Sequence, residues 1–257
     1  MTVFAKLAQW SRLWWFLAAL FLTTFFLTAF LEKRSANYEE FRVNIEPLPD
    51  EGYLITEENV QTHLTKWRKG YENTSLKDLP VSEMEDALNG LPVVDEANVY
   101  ISASNKLTVK IKQVNPLLRV IDQRGANYYL GEGKRKIPVS RSHTPRIPVV
   151  TGDIPMFEDS LILKEDHLFA RLFALGEVIK NDPFCMANTE QIHVSGGKIT
   201  LIPKMGNFRF LLGEAREPKV QMERLKTFYR DVLPVEGWNT YQVVDLRYKR
   251  QIVCRQA

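Results

Sequence analysis

Apolar and polar residues follow two rhythms along this chain, and one stretch follows neither. From Leu13 to Leu31 there are 19 residues without a charge. At about 1.5 Å rise per residue, that run makes roughly 28 Å of helix, one hydrocarbon thickness. Nothing in it is polar enough to give a soluble helix an outer face. It exceeds a signal-peptide core, and Phe25, Phe26, Phe30 and Leu31 stand where cleavage needs small residues. The pattern predicts an uncleaved transmembrane helix at 13–31 behind a tail at 1–12. Trp10, Trp14 and Trp15 suit its interface, where an indole is half buried and its N–H stays hydrated.

Behind the span the rhythms begin. Phe41 to Ile45 alternates as a short strand, and Pro47 to Gly52 is a turn cluster. Thr56 caps a helix whose first acids are Glu57 and Glu58. Val60, His63, Leu64 and Trp67 form its apolar stripe, with His63 read as a core or boundary histidine, and Gly70 closes it. A second helix starts at Ser82, with Glu85 as the far half of a capping box, and Leu91-Pro92 ends it. Val99 and Ile101 lead through Ser104-Asn105-Lys106 into Leu107, Val109 and Ile111, whose alternates are Thr108, Lys110 and Lys112. This is a hairpin with one charged face.

Farther on, Ile121 to Tyr128 reads as strand, turn, strand. A helix is predicted from Leu161 to Lys180, stopped by Asp182-Pro183. Next comes a meander of three strands, Gln191–Val194, Lys198–Ile202 and Phe208–Gly213, with Ser195-Gly196-Gly197 and Gly206-Asn207 at the turns. A helix from Lys219 to Leu233 follows. The last element, Tyr241 to Val253, reads as one strand. Val244, Leu246, Tyr248 and Ile252 form its inner face, and Asp245, Arg247 and Lys249 its outer one. The fold class expected is α+β: one transmembrane helix, a βααββ domain over 38–120, and a domain over 121–257 of antiparallel strands with two helices.

Charge changes the picture in one respect. Residues 1–34 hold Lys6, Arg12, Lys33 and Arg34 against Glu32, a net of +3. The chain carries 34 basic and 31 acidic residues, so 35–257 holds 30 of each and is neutral. A nucleic-acid-binding domain needs a basic face, and this balance does not point to one. One basic cluster stands out: Lys134, Arg135, Lys136, Arg141, His143 and Arg146 against the single acid Glu132. It reads as a solvated loop or as a site for an anionic glycan or partner.

Catalytic chemistry is hard to assemble. Ser195-Gly-Gly-Lys198 matches a Ser-x-x-Lys pattern, yet its glycines lie between two alternating runs, which makes a hairpin turn. The four histidines, His63, His143, His167 and His193, have no His-x-x-x-His pair. Glu165 and Asp166 are adjacent on a helix and diverge by about 100°. Gly131-Glu-Gly133 has no helix behind it to cradle a phosphate. Cys185 and Cys254 permit at most one disulfide and have no metal or redox spacing. No cofactor, metal or small-molecule substrate is expected.

Three stretches carry a resemblance. Leu79-Pro-Val81-Ser-Glu-Met84, Ala87-Leu88-Asn-Gly-Leu91-Pro92-Val93-Val94-Asp-Glu-Ala97-Asn-Val99 and Leu107-Thr-Val109-Lys-Ile111 resemble the POTRA domain of the FtsQ/DivIB cell-division family. That pattern usually closes on Glu-Arg-x-Pro; Gln113-Val-Asn115-Pro116 keeps only the proline. Ile121 to Gly125, and Ile147-Pro148 to Gly152, resemble the stretches that follow it. A strand ending in Gly213, a helix, and Val244-Asp245-Leu246-Arg247-Tyr248 are similar to the family's C-terminus.

The resemblance implies a non-catalytic scaffold of the bacterial divisome. Its tail would be cytoplasmic, its span in the inner membrane, and residues 35–257 periplasmic or extracytoplasmic at the septum. Lys33 and Arg34 keep the charge rule alone from deciding orientation. Its partners would be the bitopic proteins FtsB and FtsL, through which it would help control septal peptidoglycan synthesis. They would be recruited by strand addition along Tyr241, Val243, Val244, Asp245, Leu246, Arg247, Tyr248, Lys249, Arg250 and Ile252. Arg247 and Lys249 would select an acidic partner. The alternative is a membrane-anchored cell-wall enzyme.

Overall fold

The structure is a computed structural model that describes residues 20–26, 41–70, 78–102, 106–162 and 166–256. Most of the expected transmembrane span, and all of the N-terminal tail, lie outside the described residues. Residues 20–26 are helical, with Leu20, Phe21, Phe25 and Phe26 exposed. Among the described residues no helix is long and apolar enough to cross a membrane. The chain divides into two compact units, the described parts of 1–44, 57–88 and 97–110, and those of 45–56, 89–96 and 111–257.

The elements of the first third of the chain follow the order read from the sequence: β1 (Phe41–Ile45), α1 (Glu57–Gly70), α2 (Val81–Asn89), β2 (Val94–Ile101) and β3 (Leu107–Gln113). They make a three-stranded sheet in the order β1-β3-β2. Val60, Leu64 and Trp67 of α1 are buried at helical spacing, as are Met84 and Leu88 of α2. Leu107 and Val109 are buried on β3 while Lys110 is exposed. Two local expectations fail. His63 is exposed, because it lies at the flank of the buried stripe rather than within it. Glu85 closes no capping box: α2 begins at Val81, and the Glu85 carboxylate accepts the Val99 N–H of β2 at 2.9 Å.

The second unit is built on a nine-stranded sheet. Its strands are β4 (Pro116–Ile121), β5 (Asn127–Gly131), β6 (Arg135–Pro138), β7 (Val149–Gly152), β8 (Thr189–Ser195), β9 (Lys198–Pro203), β10 (Arg209–Gly213), β11 (Tyr241–Asp245) and β12 (Val253–Gln256). Their order is β12-β11-β10-β9-β8-β7-β4-β5-β6. The sheet is mixed, not antiparallel as expected: β4/β7, β7/β8 and β10/β11 pair in parallel. Helical crossovers explain two of these, since a chain that leaves a strand's end and returns over the face re-enters in the same direction.

The β7-to-β8 crossover holds α3 (Asp159–Ile162), α4 (Leu168–Lys180) and α5 (Pro183–Asn188). The single helix read from Leu161 to Lys180 is therefore two. Residues 163–165 between them lie outside the described residues, and the His167 ring accepts the Phe169 N–H to cap α4. Asp182-Pro183 does not merely stop α4. Asp182 accepts the Cys185 N–H and Pro183 starts α5, where a missing N–H costs nothing. The β10-to-β11 crossover holds α6 (Pro218–Thr227), a π-helical stretch (Phe228–Val232) and α7 (Leu233–Glu236). The widened turn precedes Pro234, whose ring cannot follow ordinary helical hydrogen bonding.

These helices bury one face of the sheet. Phe169, Leu172, Phe173, Met222, Leu225 and Phe228 share a core with Leu118, Val120, Ile192, Leu201, Phe210 and Val244. Each such side chain contributes about 1.5–3 kcal/mol on burial. A smaller core of Leu48, Leu54, Val114, Tyr129 and Ile137 lies in the same unit.

Candidate functional site

The C-terminal edge of the large sheet is the candidate site. β10 ends at Gly213, which has φ +65°. A Cβ there would meet Arg247 Cδ at 2.9 Å, so glycine serves both the left-handed backbone and the close approach. The chain then rises into α6 and returns as β11 beside β10. Arg209 pairs with Val243, Phe210 with Val244, and Leu211 with Asp245. The Leu246 N–H continues the ladder to the Leu211 carbonyl at 3.0 Å.

At this point the chain leaves the sheet. Asp245 is 1% exposed and accepts hydrogen bonds from the Arg247 N–H at 3.1 Å, Arg247 Nε at 2.8 Å and a terminal guanidinium nitrogen. Burial would raise the carboxyl's pKa. The Arg247 hydrogen bonds and charge outweigh burial and hold it below the ordinary aspartate value. The Leu246 carbonyl accepts from Arg224 at 3.0 Å and Gln221 at 3.4 Å, and Gln221 also donates to the Leu212 carbonyl at 2.8 Å. Helix α6 thus ties the ends of β10 and β11 together. A turn through Tyr248, Lys249 and Arg250, the last with φ +64°, leads into β12.

The single strand expected from Tyr241 to Val253 is therefore a hairpin. β11 stops at Asp245, and β12 pairs back antiparallel, Val243 with Arg255, Val244 with Cys254 and Asp245 with Val253. Asp245, expected on the solvent face, is buried; Tyr248, expected inside, is exposed. Val243, Val244 and Leu246 are buried, Tyr241 and Ile252 are half-buried, and Lys249 and Arg250 are exposed in the turn. The reason is local: Asp245 folds back onto the backbone N–H two residues on, and that turn breaks the period of two. β12 forms this edge of the sheet, whose other edge is β6, so Val253, Cys254, Arg255 and Gln256 carry the backbone left unpaired on the outer side here. The alternation missed them; the polar run Lys249-Arg250-Gln251 between apolar residues was the available signal.

Two clefts flank this turn. One, of about 270 Å³, is lined by Glu214, Arg216, Gln221, Arg224 and Arg247. The other, of about 400 Å³, is lined by Ser195, Lys198, Thr200, Leu211 and Arg247. Gly213 borders both. Ser195 ends β8 and pairs with Lys198 across Gly196-Gly197, the hairpin expected there. Its turn is held by Asp153, which accepts the Gly196 N–H at 2.9 Å.

Half of the basic cluster read from Lys134 to Arg146 is committed to contacts of its own. Arg135 donates to the Val94 carbonyl. Lys136 lies 4.6 Å from the Tyr128 ring centre and 5.4 Å from that of Phe157. His143 Nε2 meets Asp50 Oδ2 at 2.8 Å. Burial opposes the Asp50 charge, but His143 and the Gly52 N–H hold its carboxyl below the ordinary value. Glu132 receives Lys180 and Asn115. Lys134, Arg141 and Arg146 stay exposed.

Cys185 and Cys254 are free thiols. Burial pushes the Cys185 thiol up to about 12. Among the described residues no group of three or more His, Cys, Asp or Glu is arranged to hold a metal ion.

A family model described as FtsQ/DivIB, C-terminal related, matches residues 115–255. The match starts one residue before β4 and ends inside β12, so it takes in every strand of the large sheet. No curated protein matches the chain.

Proposed function

The chain belongs to the FtsQ/DivIB C-terminal related family, and on that premise we propose that it is a non-catalytic scaffold of the bacterial division machinery. The membership points to a division-related role. The finer reading is that 13–31 anchors the chain in the inner membrane with its tail in the cytoplasm. The βααββ elements then form a POTRA domain, and residues 35–257 work outside the membrane. A single anchor confines the chain to the membrane plane and raises its effective concentration toward other anchored proteins.

The partners proposed are bitopic division proteins of the FtsB and FtsL type, engaged by strand addition. The observation that carries this reading is the short strand β12 at one edge of the sheet, with its residues 253–255 inside the family match. Compared with the sequence reading, the docking strand moves from 241–252 to 253–256. Lys249 and Arg250 flank it from the turn, while Arg247 is occupied by Asp245.

The test is co-purification of FtsB and FtsL with the full chain and with a chain ending at Ile252. Capture is expected to fall sharply in the shortened chain while its melting temperature stays near that of the full chain. Equal capture by both would refute the edge as the docking site. The exposed cations Lys134, Arg141 and Arg146 would then be the next surface to test.

A further inference from the structure

The faces of the sheet beside β12 carry chemistry that the free backbone does not. Phe210 and Leu212 of β10, Val244 of β11 and Cys254 of β12 point to the helices, where the first three are buried and Cys254 packs against their core. Their neighbours point to the opposite, open face. There Arg209, Val243 and Arg255 stand abreast in one row across three strands. Both arginines are exposed, and Val243 between them is only 9% exposed. Arginine stems shield such a residue while their heads stay in water.

Among the described residues neither arginine of this row forms an ion pair. Strands β8–β12 carry two carboxylates: Glu190, at the start of β8, and Asp245, which is hydrogen-bonded by Arg247 and feels the Arg255 charge from farther away. Arg255 is next to the vacant edge, one strand spacing of about 4.8 Å from an added strand. Arg209 is two strands farther in, roughly 14 Å from the same position. On the helix side the residue abreast of an added strand is the half-buried Cys254.

Resting on the strand-addition reading above, we infer that β12 selects an extended segment that sets an acidic side chain beside Arg255 and an apolar one beside Cys254. Arg255 makes the charge contact, and Arg209 only strengthens the field behind it. A segment with lysine in the acidic place meets repulsion on the same row.

The test uses the full chain in detergent and two labelled eight-residue peptides, capped at both ends. One is Thr-Thr-Val-Glu-Val-Glu-Val-Thr; the other has lysine in place of glutamate. Fluorescence anisotropy is expected to show the glutamate peptide binding roughly tenfold tighter, with the gap narrowing at high salt. Arg255→Glu should reverse the preference. Arg209→Glu should shift it by much less, roughly twofold, because of its distance. Both positions are exposed, and unchanged thermal melting shows that the variants remain folded. A preference that survives Arg255→Glu, or that responds more to Arg209→Glu, overturns the selection. A glutamate peptide N-methylated on alternate residues separates the two ideas, since it keeps the charges and cannot pair. If it binds as well as its parent, strand addition itself fails. If it does not bind and the preference still ignores Arg255→Glu, the edge stands and the selection fails. Binding of neither peptide overturns both.

Discussion

Removing the Asp245 carboxylate should loosen the whole C-terminal hairpin. The group is buried and accepts three hydrogen bonds, two from the Arg247 guanidinium and one from its backbone N–H. Bonds to a charged partner are worth about 1.5–3 kcal/mol each. The Arg247 side chain is 38% exposed, so on losing its partner it recovers water and part of that sum. Asp245→Ala should therefore cost about 2–4 kcal/mol, less than the ~3–5 kcal/mol of a fully buried pair. Asp245→Asn keeps the volume and an acceptor for the backbone N–H, and should cost about 1–2 kcal/mol. For a folded part of this size, each kcal/mol lowers the melting temperature by about 2–4 °C.

The pH dependence has a definite sign. The folded carboxyl sits below its unfolded pKa, so its contribution is complete above that unfolded value, near about 4. The contribution is lost as pH falls through the folded value. The gap between wild type and Asp245→Asn should be full at neutral pH and close in acid. Thermal melts of the full chain between neutral and acidic pH measure it. A neutral-pH difference for Asp245→Ala within about 1 °C would refute the clamp, as would a gap that widens in acid.

Three further outcomes follow from other parts of the chain. Gly213→Ala should cost about 1–3 kcal/mol from its positive φ and its Cβ against Arg247, and Arg247→Ala in the same chain should recover the steric part but not the backbone part; a double-mutant cycle by denaturant melts reads the coupling. Gly52→Ala would place a Cβ 2.0 Å from His143 Nε2, so it should expel the ring and break the Asp50 contact, while His143→Ala should suppress most of the extra cost of Gly52→Ala; additive effects in urea would contradict this. A reporter active only in the cytoplasm, fused after Ala257, should be silent; activity would reverse the proposed orientation.

Much of this fold is written in short-range pattern. The stripe Val60, Leu64, Trp67 placed α1, and the alternation Leu107, Val109, Ile111 placed β3, because burial of one face imposes a period that neighbours in sequence display. The Gly196-Gly197 turn was equally legible, since few residues but glycine take its backbone angles. Even the segment that became the site was marked by residues 244–248 and by their resemblance to one family.

What only the tertiary structure decided is how distant segments meet. No local pattern says that β7 lies between β4 and β8, or that β11 runs parallel to β10; those pairings depend on where a crossover lands. The alternation through 241–253 gave the wrong answer for Asp245 because burying a carboxylate is costly and sequence pattern places it outside. Here Arg247, packed against the gap at Gly213, satisfies that charge from within the turn. That one arrangement ends β11, puts β12 at this edge of the sheet, and leaves Arg255 beside it with no ion pair among the described residues. The sequence alone determined elements such as α1, β3 and the Gly196-Gly197 hairpin, because each follows from its segment's own pattern. The free edge and the available charge were decided by contacts between residues far apart in the chain, whose energies exist only after the chain has closed on itself.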